Sequence, residues 1–313
     1  MRVAGECVTM TPMNDPVTVA TALPAGELVN ASAPRLVAID LDGTLLDRHG
    51  RVPDRSRAAV RALGSAGVRV VLATGRSRWS AAPVAEQLGL SGPHVLMQGG
   101  LVADTAEGTR VWSAPQERQA VLEQLAFARE HDLEPILGYE HGYRAERLTP
   151  DLRALAWPMY AEGARMELVP SLETTAGDGV IRTFLFTSPG RHAEVRRAAR
   201  ERFGDRLSIT WGDDFGIEFL APGVSKGAAL RMLAASVGLR MPEVAAIGDG
   251  RNDLEMLAEA GHSAAMETAS PEVRAAADLV VPSSAEEGVV VALLAWFPWL
   301  ERAIGTASDA PAA

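Results

Sequence analysis

Short apolar runs recur along the chain, and four of them stop abruptly at a polar or glycine-rich turn. Leu36-Val37-Ala38-Ile39 ends at Asp40, Asp42 and Gly43; Val68 to Ala73 ends at Thr74-Gly75-Arg76; His94 to Met97 ends at Gln98-Gly99-Gly100; Val244 to Ile247 ends at Gly248-Asp249-Gly250-Arg251-Asn252-Asp253. Continuous, partly β-branched runs suit strands covered on both faces in a parallel sheet better than half-exposed strands. Between the first two runs, Pro53-Asp54 can open a helix whose Ala59, Val60, Leu63 and Ala66 recur at helical spacing, with Gly67 to end it. A second helix runs to Leu88-Gly89. Repeated strand-helix-strand patterning predicts a doubly wound parallel sheet of α/β class with right-handed crossovers.

After Gly100 the rhythm changes. Leu101 to Trp112 reads as a hairpin around Glu107-Gly108, and a long helix follows from about Pro115 to His131. Strand-like pieces at 136–139, 143–146, 166–169, 180–187 and 207–211 have the spacing of an antiparallel sheet, interrupted by a charged helix at His192 to Phe203. The expected organisation is therefore a core in two parts, 34–113 and 214–302, with an α+β domain inserted at 114–213. Ile217 to Leu220 reads as the return to the core, Ser225 as a helix N-cap, and Ser263 to Met266, Leu279 to Val281 and a helix at about Glu287 to Leu294 complete the sheet. Residues 1–33 lack periodicity and read as a disordered extension, with Met10 and Met13 as alternative starts; 303–313 read as a flexible tail.

Composition narrows the classes. The chain has 313 residues, 47% hydrophobic and 22% charged, and a net charge of -10, which argues against nucleic acid or an anionic membrane surface as a partner. No apolar run reaches the length of a membrane span. A single cysteine, Cys7, rules out an intrachain disulfide and a cysteine-based zinc site, and fits a reducing compartment such as the cytoplasm. Oligomeric state leaves no mark in the sequence.

Ligands of open α/β sheets bind outside the carboxyl ends of strands, so Asp40, Asp42, Thr74, Asp249 and Asp253 would converge there together with Lys226 in the first turn of its helix. Carboxylates at Asp40 and Asp249 are hard oxygen ligands of the kind magnesium prefers, with coordination sites left for water and a phosphate. Thr74 can donate to a phosphate oxygen, and Lys226 supplies a point charge where negative charge gathers. Of the paired acids, Asp40 is nearest the strand end and suits the nucleophile, while Asp42 suits proton transfer. Without a Walker-type loop, these acids do not belong to a P-loop nucleotidase. Taken singly, each residue has a plainer reading: Lys226 as a solvated first-turn lysine, Thr74 as a helix N-cap, and Asp249 and Asp253 as a turn residue and a helix-start acid. Only the combination is specific.

DLDGTLLD, TGR, the lysine of GVSKGAAL and GDGRNDLEML closely resemble the four motifs of haloacid dehalogenase superfamily phosphatases, in the Cof-like branch (subclass IIB) that carries an α/β cap between motifs two and three. The resemblance spans about 36 to 297 and implies a magnesium-dependent phosphatase acting on a small phosphorylated metabolite through an aspartyl-phosphate on Asp40. It makes Asp42 the acid/base whose backbone carbonyl also meets the metal, assigns Thr74, Gly75, Lys226 and Asn252 to the substrate phosphate, Asp249 to the metal, and Asp253 to a supporting position. The sequence departs from the branch at Gln98-Gly99-Gly100, where Asn-Gly-Ala is common, and at Gly250, where serine is frequent. A phosphomutase of the same fold and a non-catalytic phosphate-binding regulator remain open as alternatives. In the inserted domain His141, Tyr143, Arg144, Trp211 and Asp213 stand near expected turns as candidates for substrate contact, whereas Trp296, Trp299 and His262 read as packing residues.

Overall fold

The apolar run after Arg35 forms strand β1 (Leu36–Ile39), and all four of its side chains are fully buried in the computed structural model, which describes residues 33–150, 166–188, 190–211 and 216–305. Helix α1 (Asp54–Ser65) leads to β2 (Arg69–Leu72), which pairs in parallel with β1. Helix α2 (Arg78–Leu88) is capped by Ser77, whose Oγ accepts from the Ser80 amide, and it ends on left-handed Gly89. Strand β3 (Pro93–Leu96) runs beside the end of β2, joined there by a parallel bridge between Ala73 and Val95 rather than by a full ladder, and it pairs antiparallel with β4 (Leu101–Asp104), which pairs in turn with β5 (Arg110–Ser113). His94 makes a further link between β2 and β3. Its imidazole Nδ1 accepts the Leu72 amide at 3.2 Å, so a side chain stands where the carbonyl of a ladder partner would be.

The inserted segment builds a second sheet from β6 (Glu134–Tyr139), β7 (Gly142–Ala145), β8 (Met166–Leu168), β9 (Arg182–Phe186), β10 (Ser208–Thr210) and β11 (Gly216–Leu220), in the order β10-β11-β9-β6-β7-β8. All neighbours are antiparallel except β7 and β8, which are parallel and separated by the long connection such a pair needs. Strand β11 corrects the expectation that 217–220 already belongs to the core. It lies inside this sheet, paired with β9 over its whole length, so the return crossing falls after Leu220 rather than at 213/214. Helices α3 (Arg118–Glu130) and α4 (His192–Phe203) cover one face, where Phe127, Phe203 and Phe219 meet edge to face. On the opposite face Ile136, Tyr143, Phe184 and Phe186 share an apolar cluster with Met97 and Leu101 of the first domain.

From Leu220 the chain enters α5 (Lys226–Ser236), capped as expected by Ser225, and continues through β12 (Val244–Gly248), α6 (Leu254–Glu259), β13 (His262–Met266), α7 (Pro271–Ala275), β14 (Leu279–Val281), α8 (Gly288–Trp296) and α9 (Leu300–Ile304). Strand order β14-β13-β12-β1-β2, parallel throughout, is that of a doubly wound sheet. Alternation along β1 sorts the layers: Val37 and Ile39 pack with α1, α2 and α8, and Leu36 and Ala38 with α5 and α6. Burying each large aliphatic side chain contributes about 1.5–3 kcal/mol. Trp296 and Trp299 pack against the first of these layers and His262 lies beside Trp296, in keeping with packing roles. The last helix runs past residue 302, into the expected tail; the N-terminal extension lies almost wholly outside the described residues, as do 306–313. No helix among the described residues is long and apolar enough to cross a membrane.

The chain leaves β1 toward β2 on one side and returns through β12 on the other. This reversal opens the crevice of an open α/β sheet between the carboxyl ends of β1 and β12.

Candidate active site

Asp40 follows β1 directly, and its amide still donates to Ile247 O of β12 at 3.0 Å, so its backbone is held by the sheet. Next comes a single wide turn, Leu41–Leu45, closed by the Leu46 amide on Leu41 O. Asp42 and Gly43 break its helical geometry, Gly43 with φ of +88°. A Cβ at Gly43 would run into the Asp249 carboxylate, so both the conformation and the space demand glycine. One residue on, Thr44 Oγ1 donates to Asp249 Oδ1 at 2.6 Å and ties the β1 turn to the β12 turn.

Lys226, the first residue of α5, is fully buried with its ammonium between two carboxylates: Nζ donates to Asp40 Oδ1 at 2.6 Å and to Asp253 Oδ1 at 2.7 Å. The other oxygen of Asp253 accepts the amides of Asp249 and Gly250, at 3.1 and 2.9 Å. Burial alone would depress the Lys226 ammonium, but Asp253 and Asp40 outweigh it and hold the group above the ordinary lysine range. Burial, reinforced by Asp253 and Asp249 and opposed by Lys226, raises Asp40 well above the usual carboxylate range. Burial and then Asp253 push Asp249 up to about 6, against the opposing hydrogen bond from Thr44. Three carboxylates thus face one ammonium, and the cluster carries excess negative charge.

That excess suits a cation. Carboxylate oxygens of Asp40, Asp249 and Asp253 lie within 4.8 Å of one another. Asp253 has both oxygens engaged, by Lys226 and by the loop amides, whereas Asp40 and Asp249 each keep an oxygen that neither Lys226 nor Thr44 takes. Two hard oxygens at the mouth of a crevice fit a magnesium ion, with Asp253 in the supporting position.

Thr74 is buried at the end of β2, its amide on Val95 O and its Oγ1 accepting the Arg76 amide at 3.0 Å; the N-cap of the following helix is Ser77 instead. Asp42 is exposed and pairs with Arg76 rather than with Lys226. Arg76 grips both its oxygens, Nε on Oδ2 at 2.9 Å and Nη2 on Oδ1 at 2.6 Å. Gly75 lies under the Gln98 amide, where a Cβ would come within 2.5 Å of Nε2. Asn252 donates to Gln98 Oε1 at 2.9 Å, and with Lys226, Gln98, Arg251, Ser208 and Thr210 it lines a cavity of about 270 Å³ between the two domains.

Four residues of the site carry no functional assignment in the sequence reading: Thr44, Gln98, Arg182 and Glu218. Arg182 of β9 and Glu218 of β11 are each isolated charges in apolar runs, a signal that each needs an opposite charge nearby. Among the cap candidates, Tyr143 is buried with its hydroxyl accepting from Arg182 at 3.1 Å. His141 is exposed, Arg144 pairs with Glu167 and Asp178 at the surface, and Trp211 lies under Arg196 and Arg200. Asp213 lies outside the described residues.

Comparison with known proteins agrees with this architecture. The family model of haloacid dehalogenase-like hydrolases matches residues 37–293. An HMP-PP phosphatase of Serratia proteamaculans is 32% identical over 254 residues, covering 77% of this chain and 86% of its own. The chain also matches an Arabidopsis thaliana protein named endoribonuclease YBEY, chloroplastic, at 28% identity over 81% of this chain, but spans only 45% of that protein's length. Among solved structures, the HAD subclass IIB sugar phosphatase BT4131 superposes with a TM-score of 0.75 at 21% identity, over 84% of this chain and 98% of its own, a likeness of fold. With an acid-rich crevice at the β1/β12 reversal and a second α+β domain over it, the chain belongs to the haloacid dehalogenase-like hydrolases, in their Cof-like branch.

Proposed function

We propose that this protein is a magnesium-dependent phosphatase that hydrolyses a small phosphorylated metabolite through an aspartyl-phosphate. The observation that carries the reading is the buried Lys226 ammonium bonded to Asp40 at the carboxyl end of β1, with Asp249 beside it. An ammonium there holds Asp40 in one orientation and offers positive charge to a phosphoryl group. Thr74 and Gly75 beside the cluster suit the remaining phosphate oxygens, and Asn252, whose Nδ2 is given to Gln98, orders the loop next to them. Magnesium held by Asp40, Asp249 and the Asp42 carbonyl would offset the repulsion between carboxylate and phosphate.

In this mechanism an Asp40 oxygen attacks phosphorus, the bond to the leaving oxygen breaks, and Asp42 gives that oxygen its proton. Asp42 then takes a proton from water as the water oxygen attacks the aspartyl-phosphate, which releases phosphate and restores Asp40. Because Arg76 grips both Asp42 oxygens, Asp42 must turn from Arg76 toward the substrate to do this. We assign a small leaving group to the cavity that Lys226 and Asn252 share with Ser208 and Thr210, and closure of the second domain over it would keep bulk water from the phosphoryl group. A reducing cytoplasm is the compartment in which we place the reaction. Phosphate release from a panel of phosphorylated metabolites and from p-nitrophenyl phosphate, with magnesium and again with chelator, tests the reading. Release should require magnesium and vanish in Asp40→Asn; equal hydrolysis by that variant would overturn the mechanism.

A further inference from the structure

A chain of polar side chains runs from the second sheet into the loop that carries Asp249. Arg182 and Glu218 lie diagonally on neighbouring strands, Arg182 opposite Leu220, and their side chains share the face turned to the first domain. Arg182 Nη1 donates to Glu218 Oε2 at 2.6 Å and to Gly75 O at 2.7 Å. The other Glu218 oxygen accepts Gln98 Nε2 at 2.8 Å, and Gln98 Oε1 accepts Asn252 Nδ2 at 2.9 Å. Arg182, Glu218 and Gln98 are buried, and Gln98, at φ of +58°, reaches between Glu218 and Asn252.

We infer that Glu218 is a positioning residue that fixes which way the Gln98 and Asn252 amides face, and so sets which atom Asn252 turns to the loop that carries Asp249. The inference deepens the phosphatase reading by naming how the cap orders the phosphate and metal loops. An amide can sit in either of two orientations, and shape alone barely distinguishes them. A carboxylate paired with a guanidinium accepts only. Gln98 must therefore turn Nε2 toward Glu218 and Oε1 toward Asn252, and Asn252 must turn Nδ2 toward Gln98. Its Oδ1 is thereby left as an acceptor against Gly250, the residue that follows Asp249 in the loop. Through Gly75 O the same Arg182 steadies the turn after Thr74. One cap charge pair thus reaches both loops only while the cap lies closed on the core.

Polarity can be reversed, and that supplies the test. Glu218→Gln can keep its oxygen on Arg182 and offer an NH₂ to Gln98, which would invert both downstream amides. Asn252→Asp accepts only, so it conflicts with the native Glu218 but agrees with Glu218→Gln at every link. Thermal unfolding of the two single variants and the double variant should show that Asn252→Asp lowers Tm in the wild-type background and that Glu218→Gln recovers the loss. Simple repulsion between residues 218 and 252 would give a similar recovery, so the cycle is repeated with Gln98→Met, an unbranched side chain that leaves Glu218 paired with Arg182. Recovery should vanish in that background; recovery that persists would overturn the relay. Gln98→Met alone should lower kcat about tenfold or more with KM little changed, the pattern of a group needed in the transition state. An unchanged kcat would show that the amide orientation does not serve the reaction. The unfolding cycle needs no substrate, so it stands or fails separately from the phosphatase reading.

Discussion

Replacing His94 with Asn should flatten the acid limb of this protein's stability curve. Burial lowers the His94 imidazole from 6.5 to about 4, with Asp104 opposing weakly, and Nδ1 is committed to the Leu72 amide. In the unfolded chain the ring takes a proton near 6.5, but in the folded protein only near 4. Between those values the unfolded state binds more protons, so the neutral ring's contribution is complete above 6.5 and is lost as pH falls toward 4. At about 1.4 kcal/mol for each pKa unit, the loss reaches about 2 kcal/mol by pH 5 and about 3 kcal/mol near pH 4. Asparagine can accept the Leu72 amide through Oδ1 without titrating, at a packing cost that does not vary with pH. Urea unfolding of both proteins from about pH 7.5 to 4.5 gives the difference curve, in which the titrations of Asp40, Asp249 and the other shared groups cancel. The variant should gain on the wild type by about 2 kcal/mol between pH 7 and pH 5. A difference that stays constant with pH would refute the claim that His94 is held neutral between β2 and β3.

Three further outcomes follow from the site. Gly43→Ala must adopt a positive φ and displace the Asp249 carboxylate, so phosphate release should fall at least tenfold while far-ultraviolet circular dichroism is unchanged; full activity would show that the turn relaxes freely. Magnesium at about one hundred times its Kd should raise stability by about 2.7 kcal/mol, read as a Tm increase that Asp249→Asn abolishes; an equal increase in that variant would remove Asp249 from the metal site. Asp253→Asn can keep an oxygen on the loop amides but turns an NH₂ toward the Lys226 ammonium, and should cost about 3 kcal/mol in urea unfolding as well as activity. An unshifted midpoint would mean that Lys226 rests on Asp40 alone.

The parts of the site that were legible in the chain sit where the backbone leaves a regular element. Asp40, Thr74 and Asp249 each follow a buried strand and Lys226 opens a helix, so a doubly wound sheet gathers Asp40, Asp249, Asp253 and Lys226 in one crevice once its topology is read. Two departures came from interactions across long stretches of sequence. His94 looks like the start of a strand, yet its imidazole takes a backbone partner from β2 while the backbone of β3 pairs with β4. Gly216–Leu220 lies close before Lys226 in sequence, but its pairing with β9 keeps it in the cap. Arg182 and Glu218 show where the limit lies. A lone charge inside a buried strand demands an opposite charge nearby, because burying it unpaired costs several kcal/mol, so that each needed a partner was readable from composition alone. Which partner depends on the register of β9 against β11, and what the pair does for the site depends on Gln98. That residue reaches it only because the chain after β3 adopts positive φ at Met97 and Gln98, a conformation that no side-chain pattern announces. Reading such a site from sequence therefore requires the strand register first and the turn geometry second; the residues that carry charge can be named before either is known.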